Sequence, residues 1–272
     1  MQLSNPSFKF GSTAVLAYPD TTRLAGYRSA LLLLKSLTAE HGLNDSDQCK
    51  FSVGVKPTEL AIPTPGNNRI ADTYEEIPVF LSTPSSAPSV TFCFVNGVPA
   101  QERVPELVDC IVSFLEEYGV EQVVVPAAAD LTGVKGSDRL WVRAFGTASD
   151  EDSSADSKKT GETGCTFELP SNANTNDIFL SALGTILCVS EFKCSKLLVY
   201  SDKRPIGSGY REKVVFGQEF VDETDTSVVG VLHHALAEAL RVPVASQQKA
   251  VEVARVQLDP ESTSRELPPA FG

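Results

Sequence analysis

The stretch from Val90 to Pro126, VTFCFVNGVPAQERVPELVDCIVSFLEEYGVEQVVVP, contains two apolar runs separated by an amphipathic segment. The first run, residues 90–95, is β-branched and aromatic and stops at an Asn-Gly pair, which predicts a buried strand. In residues 104–118 the apolar side chains recur every three or four positions, and this spacing predicts a helix. The second run, residues 122–126, predicts another strand. A strand, a helix and a strand of these lengths indicate a βαβ crossover with two parallel strands in one sheet.

Related patterns precede this crossover. Residues 13–18 form a short apolar run that predicts a buried strand. The turn and capping residues 19–22 follow it, and a helical pattern then extends to about residue 40. Two short alternating pieces, residues 51–55 and 59–62, are typical of edge strands or hairpin arms.

A second strand and helix pair follows the crossover. Asn176-Asp177 can cap a helix that runs through Phe192, and residues 196–201 form the strand behind it. A third helix begins near Asp225 and carries an apolar face made of Val228, Val229, Leu232, Leu236 and Leu240. Alternating strands and helices predict an α/β fold with a mostly parallel sheet flanked by helices.

The chain of 272 residues, 42% of them hydrophobic, fits one large domain. We expect a single α/β domain over residues 1–257, with a second, shorter helix near its end at about residues 245–256. Residues 147–164 are acidic and rich in Ser, without an apolar period, and predict a disordered surface insertion. Residues 258–272 are polar and contain several prolines, which predicts a flexible C-terminal tail.

Composition narrows the partners and the compartment. A formal net charge of −12 disfavours nucleic acid and anionic membranes, because both attract a basic surface. The N-terminal segment lacks the profile of a secretory signal, and the apolar runs are too short to cross a bilayer. The six cysteines are scattered without metal-ligand spacing, which favours reduced thiols, and we expect Cys93, Cys110 and Cys188 to behave as small apolar residues within apolar runs. We therefore expect a cytoplasmic location, with the nucleus as a second one.

The histidines do not form a metal site. His233 and His234 are adjacent on a predicted helix and point in different directions, so we expect one core histidine beside a solvated one. His41 lies at a predicted helix end, where a cation suits the helix dipole. We expect neither a metal nor a cofactor.

Catalytic patterns are weak. There is no G-x-S-x-G, and the glycine-containing loops 133–139 and 207–211 resemble phosphate-binding loops only superficially. Asp130 and Asp202 follow predicted strands, where Asp is also a common turn residue. These positions are where an active site would lie, because α/β enzymes bind ligands at the carboxyl ends of parallel strands. The single tryptophan, Trp141, lies in an alternating segment and is predicted to belong to the core.

The last three residues, Ala270, Phe271 and Gly272, place an aromatic ring next to a C-terminal carboxylate on a long tether. Such an end can insert its ring into an apolar pocket while the carboxylate meets a lysine of the partner.

The order of these elements resembles the proteasome assembly chaperone 1 family. The segment DIFLSALGTILCV, residues 177–189, and the segment CSKLLVY, residues 194–200, look most like that family's helix and following strand. The resemblance implies a fold similar to purine nucleoside phosphorylase without known catalysis. It also implies a heterodimer with a second, related assembly chaperone, bound to the α-ring of the immature 20S proteasome. Family members insert hydrophobic–Tyr–any tails between α subunits, and Ala270, Phe271 and Gly272 fall on those positions, with Phe271 in place of Tyr.

Two other interpretations stay open from the sequence. One is a nucleoside phosphorylase or hydrolase-like enzyme that uses Asp130 or Asp202 to recognise a base and the loop at Gly207 to hold an anion. The other is an interaction domain of a different complex.

Overall fold

The computed structural model describes residues 3–20, 24–38, 44–55, 75–134, 139–146, 166–171, 173–201 and 223–242. Several predictions from the sequence lie outside these residues: the strand at 59–62, the acidic insertion at 147–164, the helix at 245–256 and the tail at 258–272. They stay predictions.

The described residues contain ten strands and four α-helices. In chain order they are β1 (Thr13–Ala17), α1 (Ala25–Thr38), β2 (Gln48–Val55), β3 (Glu75–Ser82), β4 (Val90–Val95), α2 (Val104–Glu117), β5 (Gln122–Ala129), β6 (Leu131–Thr132), β7 (Arg139–Phe145), β8 (Thr166–Glu168), β9 (Asn174–Thr175), α3 (Ile178–Leu187), β10 (Cys194–Ser201) and α4 (Glu223–Leu240).

Eight of these strands form one sheet in the order β2-β3-β4-β1-β5-β10-β7-β8, and β6 pairs with β9 separately. The four central strands, β4, β1, β5 and β10, are parallel to one another. Antiparallel pairing occurs towards both sides, between β2 and β3, β3 and β4, and β10 and β7. The predicted α/β fold with a mostly parallel sheet is confirmed. The predicted crossover is also confirmed, with β1 inserted between β4 and β5.

Helices cover both faces of the sheet. The side chains of α2 and α3 join one apolar core, and those of α1 and α4 join another. β1 supplies both cores because its side chains alternate: Ala14 and Leu16 face α2 and α3, whereas Val15 and Ala17 face α1 and α4. All four are fully buried. β1 is therefore the central strand on which both layers pack.

Some boundaries differ from the sequence predictions. α3 ends at Leu187 instead of Phe192, because the backbone N–H groups of Val189 and Ser190 both turn back to the carbonyl oxygen of Ile186. Cys188 lies just beyond that end and is exposed, whereas Cys93 is buried and Cys110 half-buried. Trp141 is buried, as predicted. Among the described helices, none is long and apolar enough to cross a membrane.

Candidate functional site

The carboxyl ends of the central parallel strands form the candidate site. The helix that follows β1 lies on one face of the sheet, whereas the helices that follow its neighbours β4 and β5 lie on the other. Such a change of face between adjacent strands opens a crevice in α/β proteins, and ligands commonly bind there. In this chain the segment Tyr18–Asp20 leaves β1 at that point.

Asp20 holds the beginning of α1. Its carboxylate accepts hydrogen bonds from the backbone N–H groups of Ala25 at 3.2 Å and Gly26 at 2.6 Å. A further backbone hydrogen bond comes from Ala128 in β5. The residue is only 4% exposed. Burial raises the pKa of Asp20 well above its ordinary value, the charge of Asp177 adds to the rise, and the backbone hydrogen bonds oppose it.

Asp177 performs the same task at α3. As the N-cap residue it accepts a hydrogen bond from the backbone N–H of Leu180 at 2.9 Å, and it is 2% exposed. The sequence prediction that Asp177 caps this helix is confirmed. Two buried carboxylates thus meet near the end of β1, each at the N-terminus of a helix, where a negative charge is favoured.

A pair of aromatic rings lies next to the carboxyl groups of Asp20 and Asp177. The ring of Tyr18 stacks on that of Phe179 with centroids 4.2 Å apart and planes inclined by 11°. Tyr18 is fully buried, and its hydroxyl lies close to the carboxylate of Asp177. Burial, with the nearby charges of Asp177 and Asp20, raises the pKa of Tyr18 well above its usual range, so this phenol stays neutral.

This arrangement leaves the helix N-termini already occupied. In nucleotide-binding α/β proteins the N–H groups at such positions bind the phosphate of a ligand. Here the carboxylates of Asp20 and Asp177 accept N–H groups of this kind, and the ring of Tyr18 stacks on that of Phe179 on the side of the sheet that α3 covers. Tyr18, Asp20, Asp177 and Phe179 are all buried, so their side chains occupy the described space at this end of β1.

From the sequence, these residues were predicted only to cap helices or to end strands. Asp20 and Tyr18 are separated from Asp177 by more than half the chain, and local patterns do not show that such distant segments meet. The available signal was that both acids stand directly before helices that follow central strands.

Other residues singled out from the sequence are placed as follows. Asp130 follows β5 and is half-exposed, whereas Asp202 and the loop at 207–211 lie outside the described residues. Of the loop at 133–139, residues 135–138 lie outside as well. The structure therefore does not test the proposed pairing of Asp130 or Asp202 with an anion-binding loop. The tail residues Ala270, Phe271 and Gly272 also lie outside the described part.

The two adjacent histidines lie on α4. His233 is 1% exposed, and burial lowers its pKa to about 4, with a smaller contribution from His234. His233 is therefore a neutral core residue, as predicted. His234, the neighbour expected to be solvated, is half-buried. Within the described ranges, no group of three or more His, Cys, Asp or Glu side chains is placed to hold a metal ion.

Comparison with solved structures shows which known proteins have a similar fold. PbaB of Pyrococcus furiosus, described as an archaeal proteasome activator, superimposes with a TM-score of 0.57 at 12% identity, over 97% of this chain and 98% of that chain. A protein of unknown function from Thermoplasma acidophilum gives 0.50 at 10% identity, over 95% and 88% of the two chains. PbaA of Pyrococcus furiosus, described as an archaeal homolog of proteasome-assembly chaperone, gives 0.47 at 15% identity over 97% of each chain.

At these identities the comparison establishes the fold. The superposition on PbaB spans 97% of this chain and 98% of that chain. No protein-family model matches the sequence, and no curated protein matches it.

Proposed function

We propose that this chain is a proteasome assembly chaperone of the kind the sequence resembles, the proteasome assembly chaperone 1 family. In this proposal it is one subunit of a heterodimer that binds the α-ring of the immature 20S proteasome. It acts by binding other proteins and not by catalysis, with the cytoplasm and the nucleus as its locations.

The observation that carries the proposal is the filled crevice at the carboxyl end of β1. An enzyme of this architecture would need that crevice for its substrate. Here the stacked rings of Tyr18 and Phe179 occupy it, and Asp20 and Asp177 take the helix N–H groups that would hold an anion. A sheet whose ligand position is closed in this way favours a protein that works through its outer surface.

The likeness to PbaB supports the same proposal from a different direction. PbaB carries the description of a proteasome activator and shares the fold over 97% of this chain. The resemblance of residues 177–200 to the assembly chaperones points to the proteasome independently of that superposition.

The C-terminal tail gives the proposal its second contact. In the proposed complex the ring of Phe271 enters an apolar pocket between α subunits, flanked by Ala270 and Gly272. A Tyr at this position would add a hydroxyl hydrogen bond, worth about 1 kcal/mol. We therefore expect the Phe271 tail to bind somewhat more weakly than the Tyr tails it resembles.

Deletion of Ala270–Gly272 tests the role of the tail. Affinity-tagged full-length and shortened chains are purified from the same cells, and the proteasome α subunits that accompany them are quantified. We expect the shortened chain to retain its thermal unfolding midpoint and to recover several-fold less α subunit. Phe271→Tyr serves as the matched variant and should recover at least as much as the natural chain. Equal recovery by all three chains would contradict the proposed tail contact, and turnover of nucleosides by the purified chain would contradict the proposed function.

A further inference from the structure

The outward surface of α3 is unusually apolar. Residues 178–190 contain no Asp, Glu, Lys, Arg or His, in a chain in which 21% of the residues are charged. Phe179, Leu180, Leu183 and Leu187 point into the core. On the outward side Ile178 is 36% exposed and Val189, just beyond the helix, 81%. The outward side of α3 thus lacks the charged residues that are usual on the solvent face of a surface helix.

The neighbouring helices do not share this property. The exposed positions of α2 include Asp109, Ser113 and Glu117, and Glu238 is exposed on α4. These helices follow the usual pattern of one apolar and one polar face. Among the described residues, four large hydrophobic side chains are exposed, and Tyr118, Ile178 and Val189 lie along α2 and α3, whereas Val98 follows β4.

Acidic side chains of α2 lie beside the uncharged side of α3. α2 packs beside α3, and the backbone N–H of Glu191 donates to Oε1 of Glu116 at 2.7 Å, which joins the ends of the two helices. Asp109 and Glu117 are exposed on α2, while Glu106 is paired with Arg103 at 3.0 Å. We call the uncharged strip formed by Ile178, Ser181, Thr185 and Val189, together with Tyr118, Asp109 and Glu117, the α2–α3 face.

We propose that the α2–α3 face binds a second protein subunit that presents apolar side chains opposite α3 and Lys or Arg side chains opposite α2. The inference rests on the proposed function in one respect, namely that the chain works as one half of a heterodimer. The composition fits such a surface: an apolar, uncharged centre is what distinguishes the core of a protein interface. Complementary charges at its border direct the choice of partner.

The acidic residues of this face also disfavour a second copy of the same chain as its partner. A two-fold axis that pairs α3 with itself in antiparallel orientation brings α2 of each copy opposite α2 of the other. Asp109 and Glu117 would then face the same carboxylates, and the net charge of −12 on each copy adds long-range repulsion. A partner with basic residues at this border removes both penalties.

Val189→Glu is the variant that tests this face, with Val98→Glu as its control. Both residues are exposed valines, Val98 beyond the carboxyl end of β4 and Val189 before the start of β10, so both variants should unfold at the same temperature as the natural chain. The probe is the second subunit that accompanies the tagged natural chain, identified by mass spectrometry and produced recombinantly. We expect Val189→Glu to weaken its binding tenfold or more, because a carboxylate would be buried without a partner, and Val98→Glu to leave it within twofold. Reversal of charge in Asp109→Lys/Glu117→Lys should also weaken binding, and high salt should reduce this difference.

Several results would overturn the inference. The first is that Val189→Glu binds the second subunit as tightly as the natural chain does. The second is that no second subunit accompanies the chain. The third is a homodimer that the Val189→Glu substitution dissociates, as measured by sedimentation. The proposed function fails separately, when no proteasome α subunit accompanies the tagged chain.

Discussion

At the scale of single residues, the junction between β1 and α1 is tightly constrained. Asp20 is buried while it accepts the backbone N–H groups of Ala25 and Gly26 at the start of α1, and the bond from Gly26 is the shorter, at 2.6 Å. A Cβ added at Gly26 would stand 2.2 Å from the carbonyl oxygen of Pro126 in β5. Only glycine allows α1 to approach the sheet this closely.

Gly26→Ala should therefore destabilise the fold. Because the obstructing atoms belong to the backbone of β5, we expect the free energy of unfolding to fall by about 1–3 kcal/mol. Gly184→Ala is the matched control, since its Cβ would meet nothing nearer than Cδ1 of Leu197 at 3.9 Å. Alanine in that helix should raise the free energy of unfolding by up to about 1 kcal/mol. Urea unfolding measures both, and effects of the same sign would contradict the proposed packing.

The raised pKa of Asp20 has a consequence for the pH dependence of stability. Burial is the main cause of the rise, and the charge of Asp177 adds to it. A carboxyl group with a raised pKa binds protons more tightly in the folded state. Its contribution is therefore complete below about pH 4 and is lost as the pH rises through the folded-state pKa.

Asp20→Asn removes this titration and keeps an oxygen that can accept the N–H of Gly26. We expect the free energy of unfolding of the variant, relative to that of the natural chain, to increase as the pH is raised above about 4, until the folded-state pKa of Asp20 is passed. Urea unfolding at several pH values measures this difference. A difference that stays constant over the range would show that the pKa of Asp20 is not raised in the folded protein.

At the scale of elements, α3 combines a well-defined start with an unusual surface. Asp177 caps its N-terminus and lies beside the Tyr18–Phe179 stack, while its outward side carries no charge. The same ten residues thus help to close the crevice and form the centre of the α2–α3 face. A substitution at the start of α3 should therefore lower the stability of the fold more than it weakens the binding of a partner.

Asp177→Ala removes the cap. We expect it to lower the free energy of unfolding by about 1 kcal/mol, because the N–H of Leu180 loses its acceptor inside the protein. Asp177→Asn retains a capping oxygen and should lose much less. Thermal unfolding of the three chains checks this order, and equal losses for Ala and Asn would show that the cap does not stabilise the helix.

Elements with strong local patterns were predictable from the sequence. The strand of residues 90–95, the helix from Val104 and the strand from Gln122 follow from apolar spacing alone, and the cap at Asp177 follows from its side chain. β3 was not predicted, because Pro78 lacks the N–H that a strand interior normally uses. In the structure Pro78 lies opposite Ser52, and its carbonyl oxygen accepts the N–H of Asn96 at 2.9 Å.

At the scale of the whole molecule, the order of the strands in the sheet could not be predicted from sequence patterns. The crossover from β4 to β5 gives two parallel strands, but nothing local shows that β1 enters between them. That insertion brings Tyr18 and Asp20 to Asp177, so the filled crevice could be recognised only once the topology was known. Long-range pairing, and not local propensity, creates the feature on which the functional proposal depends.

The measurement that tests the account most directly is the identity of the proteins that accompany the full-length chain in the cell. The tagged chain is purified under mild conditions, and its partners are identified and quantified by mass spectrometry. We predict proteasome α subunits together with one further subunit in amounts comparable to the chain. Recovery of the chain without α subunits would contradict the proposal that it assists the assembly of the proteasome.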